Sequence, residues 1–451
     1  MRGTTVSTLL LLLPLQCVSP SGAHAGINAW TRNGPASGSA TAAGVFAIQT
    51  ATFVVDSSDD GADVKPGDGV CATEAGVCTL RAAIDEANAL SGGSTIAFNL
   101  ILPTTITLTT NTELAISGDV TISGPTTGVL AIDGNHETRV FDITTGAVRM
   151  TNLIIQNGRV EASSGGGGIF VADGASLTLT NCTLTHNAAA RANEGGALYV
   201  TDGGTAKLTN CTVSENSAYY PGGGVANSGI VTLTNCTLSG NTGGYGGGGG
   251  LYNEGTATLT NCTLSGNSAQ MGDGIEGPAT LTNTIVANNA SENCQGTVVS
   301  LGHNLDSDGT CGLAAPGDLS HVDPRLGQLQ DNGGPTFTHA LLPGSPAIDA
   351  GSPDCPPPAT DQRGAKRIPP CDIGAYELVP INCVGDCNAG ASVTVDEIMT
   401  IVNIALGPAG PSACANGVPT GAAINVALII QAVNNALTGC PAPGPRLAGS
   451  G

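Results

Sequence analysis

LTLTNCTLTHN, residues 177–187, returns as KLTNCTVSEN at 207–216 and as TLTNCTLSGN at both 232–241 and 258–267. Weaker copies, MTNLIIQNG at 150–158 and LTNTIVANN at 281–289, flank them, so the unit recurs every 22–29 residues. A second motif alternates with the first: GGGGIFV at 165–171, GGALYV at 195–200, GGGVAN at 222–227 and GGGLYN at 248–253. Each unit therefore holds two or three short strands separated by Gly- or Asn-rich corners. The strands alternate apolar and polar residues and favour Thr, Leu, Val and Ile, which suits β structure. A unit this short cannot bury its own apolar side. Stacked ~4.8 Å apart, the units bury it together and pair every strand edge with the coil above and below. The expected fold is all-β, a right-handed parallel β-helix over residues 96–290.

Stacking accounts for two columns of identical residues. Asn152, Asn181, Asn210, Asn235, Asn261 and Asn283 share one position. Asn tolerates the left-handed conformation of a corner, and stacked amides can hydrogen-bond up the shaft. Four of them begin N-C-T glycosylation sequons, but a stacked corner leaves little room for a glycan. Cys182, Cys211, Cys236 and Cys262 form the next column. Stacked in parallel they point the same way, so they read as small buried hydrophobes rather than disulfides or metal ligands.

The chain carries 14 Lys and Arg against 35 Asp and Glu, a net charge of −21. No Lys or Arg occurs between Leu208 and Pro324. That balance argues against nucleic-acid binding, which needs phosphate neutralisation, and against unassisted binding of polyanions such as pectate. The apolar fraction, 41%, and its periodicity argue against disorder despite 66 glycines.

Arg2, the apolar run Leu9–Leu15 and Ala23-His24-Ala25 read as a signal peptide over residues 1–25, too short for a membrane span. A loose leader follows at 26–50. Cys17 lies in the signal peptide, and export implies that some of the remaining 14 of the 15 cysteines are paired. Cys78-Thr79-Leu80-Arg81-Ala82-Ala83-Ile84 resembles the CSLREA-type module that opens many secreted bacterial β-helices, with Thr79 and Ala82 as departures. The stretch TLRAAIDEANAL reads as an amphipathic helix, so residues 51–95 form a cap for the open end of the shaft. Cys71 and Cys78 are close enough to pair. Asp59-Asp60, just before, reads as a solvated loop.

The other end, 291–378, resembles the choice-of-anchor Q family through GHNLDSDGTCG (302–312), DPRLGQLQDNGGPTFTHALLPGSPAIDAG (323–351), DQRGAKR (361–367) and CDIGAYE (371–377). The resemblance implies a secreted β-helix end and disulfides joining Cys294 to Cys311 and Cys355 to Cys371. Asp306 and Asp308 have calcium-loop spacing but belong to this end module. Residues 379–440 resemble a duplicated dockerin-like calcium loop, each half pairing a loop with a short apolar helix. The resemblance implies Ca2+ in the first loop, held by Asp386, Asn388 and Glu397 at positions one, three and twelve. Gly390 and Ala391 depart from the pattern, and the second loop has Pro419 and Leu428 at ligand positions. Cys383, Cys387, Cys414 and Cys440 are available as staples for so small a module. Residues 441–451 read as a disordered tail.

Parallel β-helices often carry polysaccharide lyases and glycosidases, which need a Lys or Arg base beside an acidic cluster, or closely set carboxylates. Neither pattern is present. The weak catalytic candidates are Asp173 and Asp202, in corresponding turns, with Arg191 or Lys207 as base. A binding surface is the competing expectation. Phe170, Tyr199 and Tyr252 share one outward position, interrupted by Ala226, and Tyr219, Tyr220 and Tyr245 crowd neighbouring turns. In a chain with 3% aromatics, this concentration suggests a flat stacking surface for sugar rings or another protein. Ser214, Asn216, Ser217 and Ser265, Asn267, Ser268 resemble repeats of polymorphic outer-membrane adhesins. The expected function is extracellular or cell-surface adhesion or glycan binding, with polysaccharide or a cohesin-like protein as partner. The alternative is a lyase or glycoside hydrolase carried by the dockerin-like module.

Overall fold

The computed structural model describes residues 51–161, 165–191, 194–379, 383–388, 392–407, 409–414, 417–418 and 424–440. The signal peptide, the leader, the tail, Gly390, Ala391 and Pro419 lie outside them. The described chain winds into a right-handed parallel β-helix of three long sheets. The first sheet has ten strands, from Ala51–Val55 to Val298–Ser300. The second also has ten, from Thr104–Thr107 to Leu319–Ser320, and the third has eight, from Leu114–Ile116 to Cys294–Gln295. Each coil passes from the third sheet to the first, turns at an Asn corner into the second, and returns through a Gly-rich loop.

Register follows the repeat residue for residue. Leu177, Leu179 and Leu184 pair with Ala206, Leu208 and Val213 of the next coil, and Leu208 pairs onward with Leu233. All of these point inward and are buried. The shaft's interior is thus a set of aliphatic columns, each side chain packed against its copies above and below.

The asparagine column sits at the corner between the first two sheets, with φ of 50–55° at all six positions. Asn181 Nδ2 donates to Asn152 Oδ1 at 3.1 Å, Asn210 to Asn181 at 3.2 Å and Asn235 to Asn210 at 3.1 Å. A second, unexpected ladder runs through Asn187, Asn216, Asn241, Asn267 and Asn289 at 2.9–3.0 Å. It is almost wholly buried, so the adhesin-like S-x-N-S pattern reflects a corner of the coil. The four column cysteines are free and fully buried, each thiol donating to the carbonyl two residues earlier. Burial pushes the Cys182 thiol up to about 11, which keeps it inert.

The amino-terminal cap is helix α1, Leu80–Ala89. Thr79 caps it, its hydroxyl accepting from Ala82 N at 3.0 Å; with Ala at 82 the reciprocal half of a capping box is missing. The helix covers the edge strand Leu114–Ile116: Arg81 donates to Thr112 and Glu113 carbonyls, and Asn88 to that of Ala115. An edge that would otherwise offer free carbonyls is closed. Cys71–Cys78 staples the loop beside it. Asp60, expected in a solvated loop, is instead buried, bonded to Arg81 Nε at 2.8 Å and to the Thr110 amide and hydroxyl.

Residues 291–378 do more than end the helix. The ladder runs to Leu319–Ser320, closed by Cys294–Cys311. From Asp323 the chain then turns back and crosses the outer face of the second sheet as a strap, made of the hairpin Leu326–Gln330/Thr338–Leu341 and the irregular segment 342–378. That face carries a column of hydroxyls which the strap uses. Thr212 donates to Phe337 O at 2.6 Å, Thr237 to Gln362 Oε1 at 2.7 Å, and Thr263 Oγ1 accepts from Ala375 N at 3.1 Å. The buried His339 bonds Ser239 Oγ through Nε2 and the Gly327 carbonyl through Nδ1. Cys355 and Cys371, expected to be bonded, are free neighbouring thiols within hydrogen-bonding reach of each other.

Inside the strap, DQRG and CDIGAYE form one buried charged knot. Asp361 holds Arg363 at 2.7 Å, Arg363 lies 3.6 Å over the Tyr376 ring, and Arg367 pairs with Glu377 at 3.5 Å. Desolvation and the adjacent Glu377 push the Asp372 carboxyl up from 3.8 to about 8.

Two outcomes follow from these contacts. Asn210→Ala should lower shaft stability by about 1–2 kcal/mol, the cost of placing a Cβ residue without a compensating amide in the left-handed region. Asn210→Gly should recover part of it, as read by calorimetric unfolding. For Asp372, whose folded pKa is raised, the stabilisation is complete below about pH 4 and is lost as pH rises through about 8. Amide exchange in 361–378, corrected for intrinsic rates, should therefore be slower in mild acid than in mild alkali. Asp372→Asn should flatten that dependence.

Candidate functional site

The outward residues of the third sheet are in register as expected: Phe170 pairs with Tyr199, Tyr199 with Ala226, Ala226 with Tyr252, and Tyr252 with Glu276. The Gly-rich motif has a steric cause here. The loop preceding each strand folds back over this column, so a Cβ at Gly195 would stand 3.0 Å from Tyr199 Cβ, and one at Gly248 2.7 Å from Tyr252 Cβ. Both glycines also have positive φ, 67° each. The backbone thus half-covers Phe170, Tyr199 and Tyr252. Phe170 and Tyr199 are tilted at 55° with centroids 5.8 Å apart, and Arg139, paired with Glu113 at 2.7 Å, lies 5.0 Å over Phe170.

The more exposed rings are Tyr219, Tyr220 and Tyr245, at 50%, 39% and 54% of their surface. Their centroids lie 5.5–6.5 Å apart, with interplanar angles of 54–74°. The surface is therefore faceted, not flat: edge-to-face packing holds the rings at fixed angles to one another.

Carboxylates surround the aromatic column. Burial raises the pKa of Glu194, with the Glu254 charge adding to it, and raises that of Glu276, with Glu292 adding. Tyr252 donates to Glu254 Oε1 at 2.7 Å, and burial together with that bond holds its phenol well above the ordinary range. The Tyr199 phenol is raised by burial and by Glu194. An anionic ligand would meet repulsion here, while an uncharged one would meet rings and acceptors.

The weak catalytic candidates are spread over three parts of the coil. Asp173 and Asp202 lie in stacked, exposed turns between the third and first sheets; a Cβ at Gly203 would meet Asp173 Oδ1. Lys207 stands on the outer face of the first sheet, in register with Thr178 and Thr232. Arg191 lies in the loop between the second and third sheets, 3.6 Å from Glu161. No ion pair among the described residues joins either Asp to either base.

The carboxy-terminal module pairs helix α2, Val395–Ala405, with helix α3, Val426–Thr438, through Cys383–Cys440 and Cys387–Cys414. Of the expected calcium ligands, Glu397 has a second role. Glu397 Oε2 accepts from Thr394 N and Oγ1 at 2.8 Å each, and Oε1 from Asn388 N at 3.2 Å. Burial raises the Glu397 pKa, but these bonds outweigh it and hold the carboxyl below its ordinary value. Its oxygens form a capping box for α2, and Asp386 is buried nearby. Among the described residues no group of three or more His, Cys, Asp or Glu is arranged to hold a metal. Asp306 likewise serves its turn, accepting from Cys311 N and Asn293 Nδ2.

One concavity left no mark in the sequence reading: a groove of about 680 Å³ on the outer face of the second sheet, where the strap's hairpin stands off from the shaft. Its floor includes Gln156, Thr183 and Thr185, and its wall Leu329 and Phe337. Its ingredients lie more than a hundred residues apart, so no local motif announces it.

A family model described as a right-handed β-helix region matches residues 104–304. The chain is a right-handed parallel β-helix protein. Among solved structures, the crystal structure of pectate lyase Pel9A is similar over 73% of this chain and 97% of its own, at 13% identity and a TM-score of 0.37. No curated protein matches the sequence.

If Glu397 is a cap rather than a ligand, Thr394→Ala should destabilise the module by about 1 kcal/mol equally in calcium and in chelator. Titration calorimetry of the full chain with calcium should give no heat assignable to Glu397. Calcium-dependent unfolding abolished by Glu397→Gln would restore the ligand role.

Proposed function

We propose that the protein is exported and binds an uncharged glycan at a surface, using the faceted tyrosine cluster. The observation that carries this reading is the exposure of Tyr219, Tyr220 and Tyr245 on rigid, backbone-paired loops: Tyr219 N donates to Ala189 O, and Tyr245 N to Tyr219 O. Aromatic faces fixed in this way suit the apolar faces of sugar rings, at little entropic cost on binding. The carboxylates around the neighbouring column disfavour acidic polymers. Four disulfides support folding in an oxidising compartment, and no helix among the described residues is long and apolar enough to cross a membrane.

The carboxy-terminal module adds a reason to expect a protein partner, of the cohesin-like kind its resemblance implies. Val395, Leu406, Val426 and Leu437 are each more than 70% exposed on α2, α3 and the end of α2. Exposed aliphatic side chains of this kind are available to a protein partner.

Retention on insoluble polysaccharides tests the reading. Tyr219→Ala with Tyr245→Ala should weaken retention on an uncharged polysaccharide by about tenfold, leaving the melting temperature unchanged. Retention only on acidic polymers would contradict it. Release of soluble sugar that disappears in Asp202→Ala would replace it with the lyase or hydrolase alternative.

A further inference from the structure

The strap shows, on the chain's own body, what the outer face of the second sheet can hold. Much of its hold on the shaft falls on two kinds of position. One is the hydroxyl column, with Thr212 donating to Phe337 O and Thr237 to Gln362 Oε1. The other is the outer hydrogen of each corner amide: Asn235 donates to Thr360 O at 2.8 Å, Asn261 to Pro356 O at 3.2 Å and Asn283 to Asp372 O at 2.9 Å. Past the hairpin the hydroxyl column runs one coil further, to Thr183, before Ile154 takes its place, and the amide column runs on through Asn181 and Asn152, but the strap does not follow. There Thr183 Oγ1 has no partner among the described residues, Asn181 Nδ2 has only Asn152 Oδ1, and Asn152 Nδ2 has none. These groups line the groove of about 680 Å³, with the half-exposed Phe337 ring as its wall.

We infer that this groove is a second binding site, for one uncharged polysaccharide chain lying along the shaft axis. Three features select that ligand. First, the free polar groups on the floor are the Asn152 and Asn181 amides, one coil apart at ~4.8 Å, about the length of one pyranose, and the Thr183 hydroxyl beside them, so successive sugars meet successive amides. A sugar hydroxyl both donates and accepts, matching rotatable Thr hydroxyls and outward amide hydrogens alike. Second, Phe337 offers one aromatic face, as a sugar ring requires. Third, Glu215, bonded to His186 at 2.6 Å, and Asp331 line the groove, whereas no Lys or Arg among the described residues does. An acidic polymer is therefore repelled. An extended peptide would find no free strand edge on the floor, because the backbone of the second sheet is paired from coil to coil; the strap itself binds there because it is tethered. This site is independent of the tyrosine cluster.

The test is calorimetric titration of the full chain with soluble cello-, manno- and xylo-oligosaccharides of increasing length, with oligogalacturonates, and with a peptide of residues 331–341. One uncharged series should bind, its affinity rising with length until the groove is filled. Phe337→Ala and Thr183→Val should each weaken that binding, the former by about tenfold, with no change in melting temperature. Neither removes a strap contact: the Phe337 carbonyl is retained, and Thr183 touches no strap group through its hydroxyl. The Tyr219→Ala, Tyr245→Ala variant should bind these oligosaccharides normally. The inference is overturned if both groove variants bind as the parent does, if no uncharged series binds, or if the peptide or the oligogalacturonates bind more tightly. Any of these results alongside intact, tyrosine-dependent retention on insoluble polysaccharide strikes the groove alone and leaves the tyrosine surface standing.

Discussion

In-register parallel pairing is the constraint on which the rest of the molecule depends. Once strand Ser176–Thr180 lies on Thr205–Thr209 without slippage, each side chain is obliged to live beside its own counterpart in the neighbouring coil. Leucine columns tolerate that easily. Polar residues do so only where each can be donor to one neighbour and acceptor to the other, which is why asparagine, with both groups on one short side chain, holds two corners. Cysteine at the adjacent position works differently. Its thiol returns to a local carbonyl, and in the following coil Thr284 does the same with its hydroxyl at 3.0 Å. The column needs a small group with one hydrogen to give, not sulfur chemistry.

The same constraint produces columns on the outside, where they become a resource. Outward Thr and Ser recur on the second sheet because they are strand-compatible and soluble. Their repetition makes a strip of evenly spaced donors and acceptors, and most of the strip is consumed by the strap. Gln362 is the clearest pin: its Nε2 reaches Thr212 Oγ1, Thr336 Oγ1 and Phe337 O, and its Oε1 accepts from Thr237. The charged knot around Asp361 and Arg367 shapes the strap's interior, so the motif residues there serve one another rather than a ligand.

How much could be read from the sequence follows from the range of each interaction. The coil, its register, the asparagine corner and the buried cysteines all repeat at one period, so the chain displays them openly. The outward aromatic position was legible for the same reason. The mutual tilt of Tyr219, Tyr220 and Tyr245 was not, because it is set by loops that do not repeat. Asp60 was misread as solvated because its partners, Arg81 and Thr110, are 21 and 50 residues away. The strap's path was hidden for the same cause on a larger scale: Thr237 and Gln362 are separated by 125 residues. The capping role of Glu397 became visible only from the positions of its hydrogen-bond donors.

The strap's long reach also orders events in time. Coils join to their immediate neighbours, so the shaft can grow from its amino-terminal cap as the polypeptide emerges, each turn closing on the one just made. The strap can find its place only after the coils beneath it exist, and it is among the last segments to arrive. Until then the strip of threonines is bare along its whole length, and a half-folded molecule presents a longer trough than the finished one does.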